Sequence, residues 1–282
     1  MAPPNPLDLA AQSVRTLRAF GRRFPVGGDV LAPSLEGAVS GRTVLITGAS
    51  SGIGEATALA CAKAGAAVAL AARRAERIEA LAGRIASDGG RALAVQTDVG
   101  DEAQAQAFVQ RAASELGRLD VLVNNAGVML LGPVVGADTE EWRRMIGVNL
   151  FGALYCTHAA LPLMVEQQGG DIVNVSSVAG RFARLGSGVY NLTKFGLGAF
   201  SESLRQELVP HGIRVTLIEP GAVATELAGH NRPEIREQMA KRFQEVTLLS
   251  AQDIANAVLY AISQPAHVSI NEVLVRPSGQ VL

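Results

Sequence analysis

The sequence predicts a single-domain α/β fold with a doubly wound sheet of seven parallel strands, and three observations carry that expectation. From Thr43 onward, seven short β-branched runs alternate with longer alanine-rich segments of helical pattern. Most of these runs are apolar on nearly every residue rather than on every second one, as strands covered on both faces require. The chain, at 282 residues, is long enough to bury one full core, and neither a repeat nor a shift in composition divides it after the first 40 positions.

The predicted strands, in order, are Val44–Ile46, Ala67–Ala71, Ala92–Gln96, Asp120–Val123, Asp171–Val175, Ile213–Ile218 and Glu272–Val275. Strands separated by helices are parallel, because a parallel neighbour is reached only through a long crossover. Right-handed crossovers then place a ligand crevice at the carboxyl ends of the strands. The longest apolar stretch, Ala56 to Ala72, is interrupted by Lys63 and Gly65 and reads as a helix followed by a strand, not as a membrane span.

Residues 1–40 read as an N-terminal extension. They open on Ala-Pro-Pro-Asn-Pro and close in a linker spotted with Gly and Pro. Between Leu9 and Phe24 lie Arg15, Arg18, Arg22 and Arg23 with no acid, and Val14, Leu17 and Phe20 fall near helical spacing. A basic, partly helical arm is expected, either poorly ordered or packed on a partner subunit. Anchoring of this arm to an anionic membrane surface is the less expected alternative.

The composition is 48% hydrophobic and 18% charged with a formal net charge of -1, which gives no reason to expect nucleic acid as a partner. Cys61 and Cys156 sit in apolar helix-like runs without metal-ligand spacing, so they read as core thiols suited to a reducing compartment. The first 20 residues lack the pattern of a signal peptide, and a cytoplasmic location is expected. His158, His211, His230 and His267 have no metal-like partner in the sequence, so no metal site is expected.

The first chemistry-bearing motif is Thr47 to Gly54, which follows the first strand and opens the first helix. Gly48 can turn sharply, Gly52 admits backbone N–H groups to a pyrophosphate, and Gly54 allows close helix–strand packing. Ser50, Ser51 and Ile53 complete the turn, and the helix start adds a favourable dipole for phosphates. This is the turn of a Rossmann-type dinucleotide fold, so residues 41–282 are expected to be one dinucleotide-binding and catalytic domain. An NAD site usually places an acid at the end of the second strand, about 20 residues past the glycines, to hold the ribose. Here Ala72 stands at that place, followed by Arg73 and Arg74. Two guanidiniums suit a 2′-phosphate, so NADP(H) is the expected cofactor.

Tyr190 and Lys194, four residues apart, share one face of a helix. A cation beside a phenol favours the phenolate, which would bring the tyrosine down from ~10 towards working pH and fit it for proton transfer.

Together with Thr47 to Gly54, Asn124 to Gly127 and Ser177, this pair resembles the short-chain dehydrogenase/reductase family, in its short single-domain branch. Secondary likeness in Val128 to Pro133, Tyr190 to Gly196, Glu219 to Gly221 and Arg276-Pro277 points to the clavulanate-aldehyde reductase group, which includes reductases of short 3-hydroxy acids. The resemblance implies a catalytic tetrad of Asn149, Ser177, Tyr190 and Lys194. It also implies that Asp98, with Val99, belongs to the adenine end of the cofactor site. Asn125, Ala126 and Gly127 would lie beside the cofactor, which Tyr190 and Lys194 would also contact. Pro220, Gly221, Val223 and Thr225 would hold the nicotinamide amide.

The implied reaction is hydride transfer between NADP(H) and a carbonyl or alcohol substrate, an aldehyde or ketone in the reductive direction. Tyr190 would move the proton and Ser177 would hold the carbonyl oxygen. Lys194 would lower the tyrosine pKa and bond the nicotinamide ribose, and Asn149 would hold a water. Met129 to Leu131, Val178, Phe182 and Leu185 would flank the substrate, under a lid from Ala222 to Phe243. Family members form dimers or tetramers, so a homo-oligomer is expected. Two other readings stay open: a 3-oxoacyl or steroid/lipid ketone reductase tethered by the arm, and a non-catalytic NADP-binding sensor.

Overall fold

The computed structural model describes residues 37–281, and the expected basic arm lies outside the described residues. Seven strands form one sheet: β1 (Thr43–Thr47), β2 (Ala67–Ala72), β3 (Arg91–Gln96), β4 (Val121–Asn124), β5 (Gly170–Val175), β6 (Ile213–Pro220) and β7 (Glu272–Val275). Their order is β3-β2-β1-β4-β5-β6-β7, and every neighbouring pair is parallel. Each predicted strand is present, with ends displaced by at most two residues.

Eight α-helices are described: α1 (Gly52–Lys63), α2 (Ala75–Ser87), α3 (Glu102–Leu116), α4 (Thr139–Ile146), α5 (Gly152–Gln167), α6 (Gly188–Leu208), α7 (Pro233–Arg242) and α8 (Ala251–Ile262). The sheet separates two apolar layers. Val44 and Ile46 of β1 face a core closed by α1, α2 and α8, where Ala58, Ile78 and Val258 are fully buried. Leu45, one residue out of phase, faces the other core with Phe108 of α3 and Cys156 and Met164 of α5. This alternation, with both faces apolar, is why the strand runs in the sequence are nearly continuous.

Between α4 and α5 the chain continues through a π-helical segment, Gly147–Phe151. The continuous helical run Thr139–Gln167 is long and apolar enough to cross a membrane by length and composition. Its apolar residues Cys156, Ala160 and Met164 are instead fully buried against the sheet. Both cysteines are buried, and burial pushes their thiols up to about 12. The order of the sheet reverses between β1 and β4, so the crevice for a ligand opens at the carboxyl ends of these two strands.

Candidate active site

A cavity of about 700 Å³ lies at the carboxyl edge of the sheet and takes its walls from the glycine turn, Arg73 and Arg74, Asn125 to Gly127, Ser177, Tyr190, Lys194 and the segment after Pro220. One end is formed by the turn after β1. Gly48 has φ +68, and a Cβ there would come within 2.8 Å of Ala126 Cα. A Cβ on Gly54 would stand 2.4 Å from the Gly48 carbonyl oxygen, so that helix can approach the turn only as glycine. Asn125 fixes the turn from β4 by donating to the Thr47 carbonyl at 2.9 Å. The Thr47 hydroxyl in turn accepts from the main chain of Asn125 and Ala126, at 3.0 Å each. In the sequence Thr47 reads only as the first residue of the glycine turn, and nothing local marks its hydroxyl as the brace to β4.

The residue at the cap of α1, Ser51, makes no side-chain cap to the helix. The first N–H groups of α1 therefore face the cavity without a side-chain acceptor, an arrangement that suits phosphate oxygens. At the end of β2, Arg74 donates to the hydroxyls of Ser50 and Ser51 at 2.8–3.1 Å. Its remaining nitrogen donates to Glu226 at 2.8 Å, and Arg77 donates to the same carboxylate at 2.7 Å. Those two guanidiniums hold the Glu226 carboxyl down at about 2. The carboxylate shows that Arg74 and Arg77 converge on one anion, and Arg73 lines the same end of the cavity. Arg77 and Glu226 were not among the expected cofactor residues, because neither follows from local spacing.

Asp98 and Val99 line the cavity next to this end. The Asp98 carboxylate accepts from the Gly100 N–H at 3.0 Å, so part of it is spent on its own turn. Pro220, Gly221, Val223 and Thr225 also line the cavity, as do Ala126 and Gly127, and Thr225 lies against the glycine turn at Gly52. Thr225 also caps the short turn Glu226–His230.

The tetrad residues come from three elements. Ser177 follows β5 and caps the turn Val178–Gly180, where its hydroxyl accepts from the Ala179 N–H at 3.1 Å. Tyr190 and Lys194 stand on the same face of α6, both buried, with Lys194 Nζ 5.8 Å from the tyrosine ring centre. Val128, Leu130 and Met145 pack against Tyr190. Asn149 lies in the π-helical segment, a local geometry often found at functional sites. Its amide is fully used: it accepts from Val128 N–H at 2.8 Å and donates to Val128 O at 2.9 Å and Thr193 at 3.1 Å. Asn149 therefore joins the floor of the site to α6, beside Gly127 and the Lys194 amine.

The expected lowering of Tyr190 is not what its surroundings produce. Burial pushes the Tyr190 phenol up to about 12, opposed by a hydrogen bond with Ser177. Burial also brings Lys194 down to about 8. The amine donates to the Val175 carbonyl at 2.9 Å, so its charge is directed at the main chain of β5 rather than at the phenol oxygen. Spacing along a helix reveals that two residues are neighbours, but not that both are cut off from water.

Two of the residues expected at the substrate wall are elsewhere. Leu130 is buried in the apolar cluster under Tyr190, and Phe182 lies beneath the Arg276 guanidinium, 5.4 Å from it. Met129, Leu131, Val178 and Leu185 do line the cavity, joined by Leu227, Met239, Phe243 and Leu248 from the lid segment and its sequel.

Fold and site together define a dinucleotide-dependent dehydrogenase or reductase of the doubly wound type. Residues 42–236 match the model of the family described as short chain dehydrogenase, and the chain belongs to that family. It is 39% identical over 247 residues to an uncharacterized oxidoreductase of Staphylococcus saprophyticus, covering 86% of this chain and 99% of the relative. It is 38% identical over 266 residues to the glycine betaine reductase ATRR of Emericella nidulans, covering 93% of this chain but only 21% of that longer protein. Among solved structures, it is similar to the closed form of serine dehydrogenase complexed with NADP+, with TM-score 0.80 and 35% identity over 85% of this chain and 96% of the other. A metagenomic short-chain oxidoreductase in complex with NADP matches with TM-score 0.73 and 33% identity over 86% and 100%.

Proposed function

We propose that this chain is an NADP(H)-dependent oxidoreductase that interconverts a carbonyl compound and its alcohol, acting as an aldehyde or ketone reductase. One observation carries the reading. A single cavity holds an uncapped helix start and Arg74 at one end, and Ser177, Tyr190 and Lys194 at the other. The NADP complexes among its structural relatives support the same cofactor. That dinucleotide supplies the hydride in reduction and accepts it in oxidation.

The residues of the chain do the rest. Ser177 and Tyr190 share a hydrogen bond and together hold the substrate oxygen, stabilising the charge that develops there. Tyr190 keeps its proton at neutral pH because it is buried, so it acts as the acid in reduction. Lys194 and Asn149 position α6 and the floor beneath it. A homodimer or homotetramer is also proposed, supported by Phe151, Leu192 and Phe195, apolar side chains exposed on or beside α5 and α6.

The test is a panel of aldehydes and ketones assayed with NADPH and, separately, NADH. Turnover with at least one carbonyl, faster with NADPH, is expected. NADPH binding with no turnover on any carbonyl would leave a sensor, and equal use of NADH would remove the assignment of Arg73 and Arg74.

A further inference from the structure

The turn that carries Ser177 and the helix that carries Tyr190 are joined by a side chain with no part in the reaction described above. Asn191 follows Tyr190 on α6 and is buried. Its amide nitrogen donates to the carbonyls of Ala179 and Phe182, at 2.7 and 2.8 Å. Its amide oxygen accepts from the Ser187 hydroxyl at 2.7 Å and from the Arg184 N–H at 3.3 Å. Two N–H donors and two lone pairs are the full capacity of this group, so its partners fix which way the amide points.

The link from Asn191 to Ser177 runs through one residue. Ala179 donates its N–H to the Ser177 hydroxyl oxygen at 3.1 Å and presents its carbonyl to Asn191. Tyr190 and Asn191 are successive on one helix, so their side chains leave its axis about 100° apart. Tyr190 lines the cavity, while Asn191 reaches the turn Val178–Gly180. The backbone of α6 therefore relates the position of Ala179 to the position of the phenol.

Other bonds hold the two ends of the turn. The Ser176 N–H donates to the Ile218 carbonyl at 2.7 Å, and its hydroxyl donates to the Lys194 carbonyl at 3.2 Å. At the far end Arg181 Nε donates to the buried Glu219 at 2.8 Å. Asn191 acts between them, on the residue whose N–H bonds Ser177.

We propose that Asn191 is a positioning residue that sets the Ser177 hydroxyl against the Tyr190 phenol, so that both reach the same substrate oxygen. It does not line the cavity and acts through Ala179. This rests on the reductase reading above and deepens it.

The test is a double-substitution cycle on NADPH oxidation, run with a carbonyl that the wild-type enzyme turns over, while fluorescence reads NADPH binding separately. Asn191→Leu, close in volume, removes all four hydrogen bonds. It should lower kcat by roughly 100-fold, the cost of misplacing a reacting group by about 1 Å, with KM and NADPH affinity little changed. Placed in Ser177→Ala, the same substitution should lower kcat no further, because the hydroxyl that Asn191 positions is gone. An unchanged kcat, a loss confined to KM, or equal losses in the two backgrounds would overturn the proposal. Asn191→Ser is read in its place if the Leu variant no longer binds NADPH. Loss of NADPH binding in both variants would make Asn191 a residue of the fold and overturn the proposal as well. Absence of wild-type turnover on any carbonyl removes the reductase reading and the proposal with it. Turnover with equal losses in the two backgrounds leaves that reading and removes only the role of Asn191.

Discussion

At the cofactor end of the cavity the working groups are largely main-chain atoms held in place by glycines and a helix start. At the substrate end they are side chains brought together from segments far apart in the chain. Gly48 and Gly54 act by having no Cβ, and the N–H groups of α1 need no particular side chain to face the cavity. In the proposed reaction Ser177 and Tyr190 act only through their side chains, and their placement depends on β5 and α6 packing as they do. The two ends are therefore proposed to be separable: dinucleotide binding rests mainly on the turn after β1, braced by Asn125, and choice of substrate on side chains gathered by the tertiary fold.

The sharpest way to break this separation is Tyr190→Phe. It should lower kcat by ~10³-fold, within the usual range for a positioned proton donor, while NADPH binding measured by fluorescence stays unchanged. A matching loss of binding would show that the two ends are not independent. Gly54→Ala tests the other end. Its Cβ would press on the Gly48 carbonyl oxygen, so the turn must move, and NADPH binding should weaken by roughly 100-fold, or about 3 kcal/mol. Retention of tight NADPH binding would contradict the main-chain account.

The third prediction concerns pH. Burial brings Lys194 from 10.5 to about 8 in the folded chain. Between those values the unfolded chain binds more protons than the folded one, so stability rises as pH increases from 8 towards 10. The gain assigned to Lys194 is on the order of 3 kcal/mol, and it is lost again as pH falls to 8. Urea denaturation should show this slope in the wild type and not in Lys194→Met; an identical slope in both would assign it to other groups. The smallest effect belongs to Glu226→Gln. Removing the carboxylate that engages Arg74 and Arg77 frees both for a phosphate, and should tighten NADPH binding about threefold, as befits an exposed ion pair. Weaker binding in that variant would mean that Glu226 positions the arginines rather than competing for them.

The same contrast explains what could be read from the sequence. All seven strands were legible, because burial on both faces leaves an apolar run that survives in one dimension. Thr47 to Gly54 was legible for a related reason: strand, glycines and helix are contiguous. Ser177, Tyr190 and Lys194 fell to a resemblance of motifs, but their electrostatics did not. The Tyr190–Lys194 spacing leads to an expected fall in the phenol pKa, whereas burial raises it. Nothing local said that Glu226 would reach across to Arg74. Leu130 and Phe182 were misplaced for the same reason, since alternation along a short loop does not tell which side faces the cavity.

Hydride transfer in this cavity is read most directly with NADPH carrying deuterium at both positions of the nicotinamide C4. The alcohol formed from a reduced carbonyl should carry the label on its carbinol carbon, detected by mass spectrometry as a single added mass unit. Its formation should cease in Tyr190→Phe. A product without the label, or a label found only in solvent, would contradict the assignment of this cavity as a site of hydride transfer.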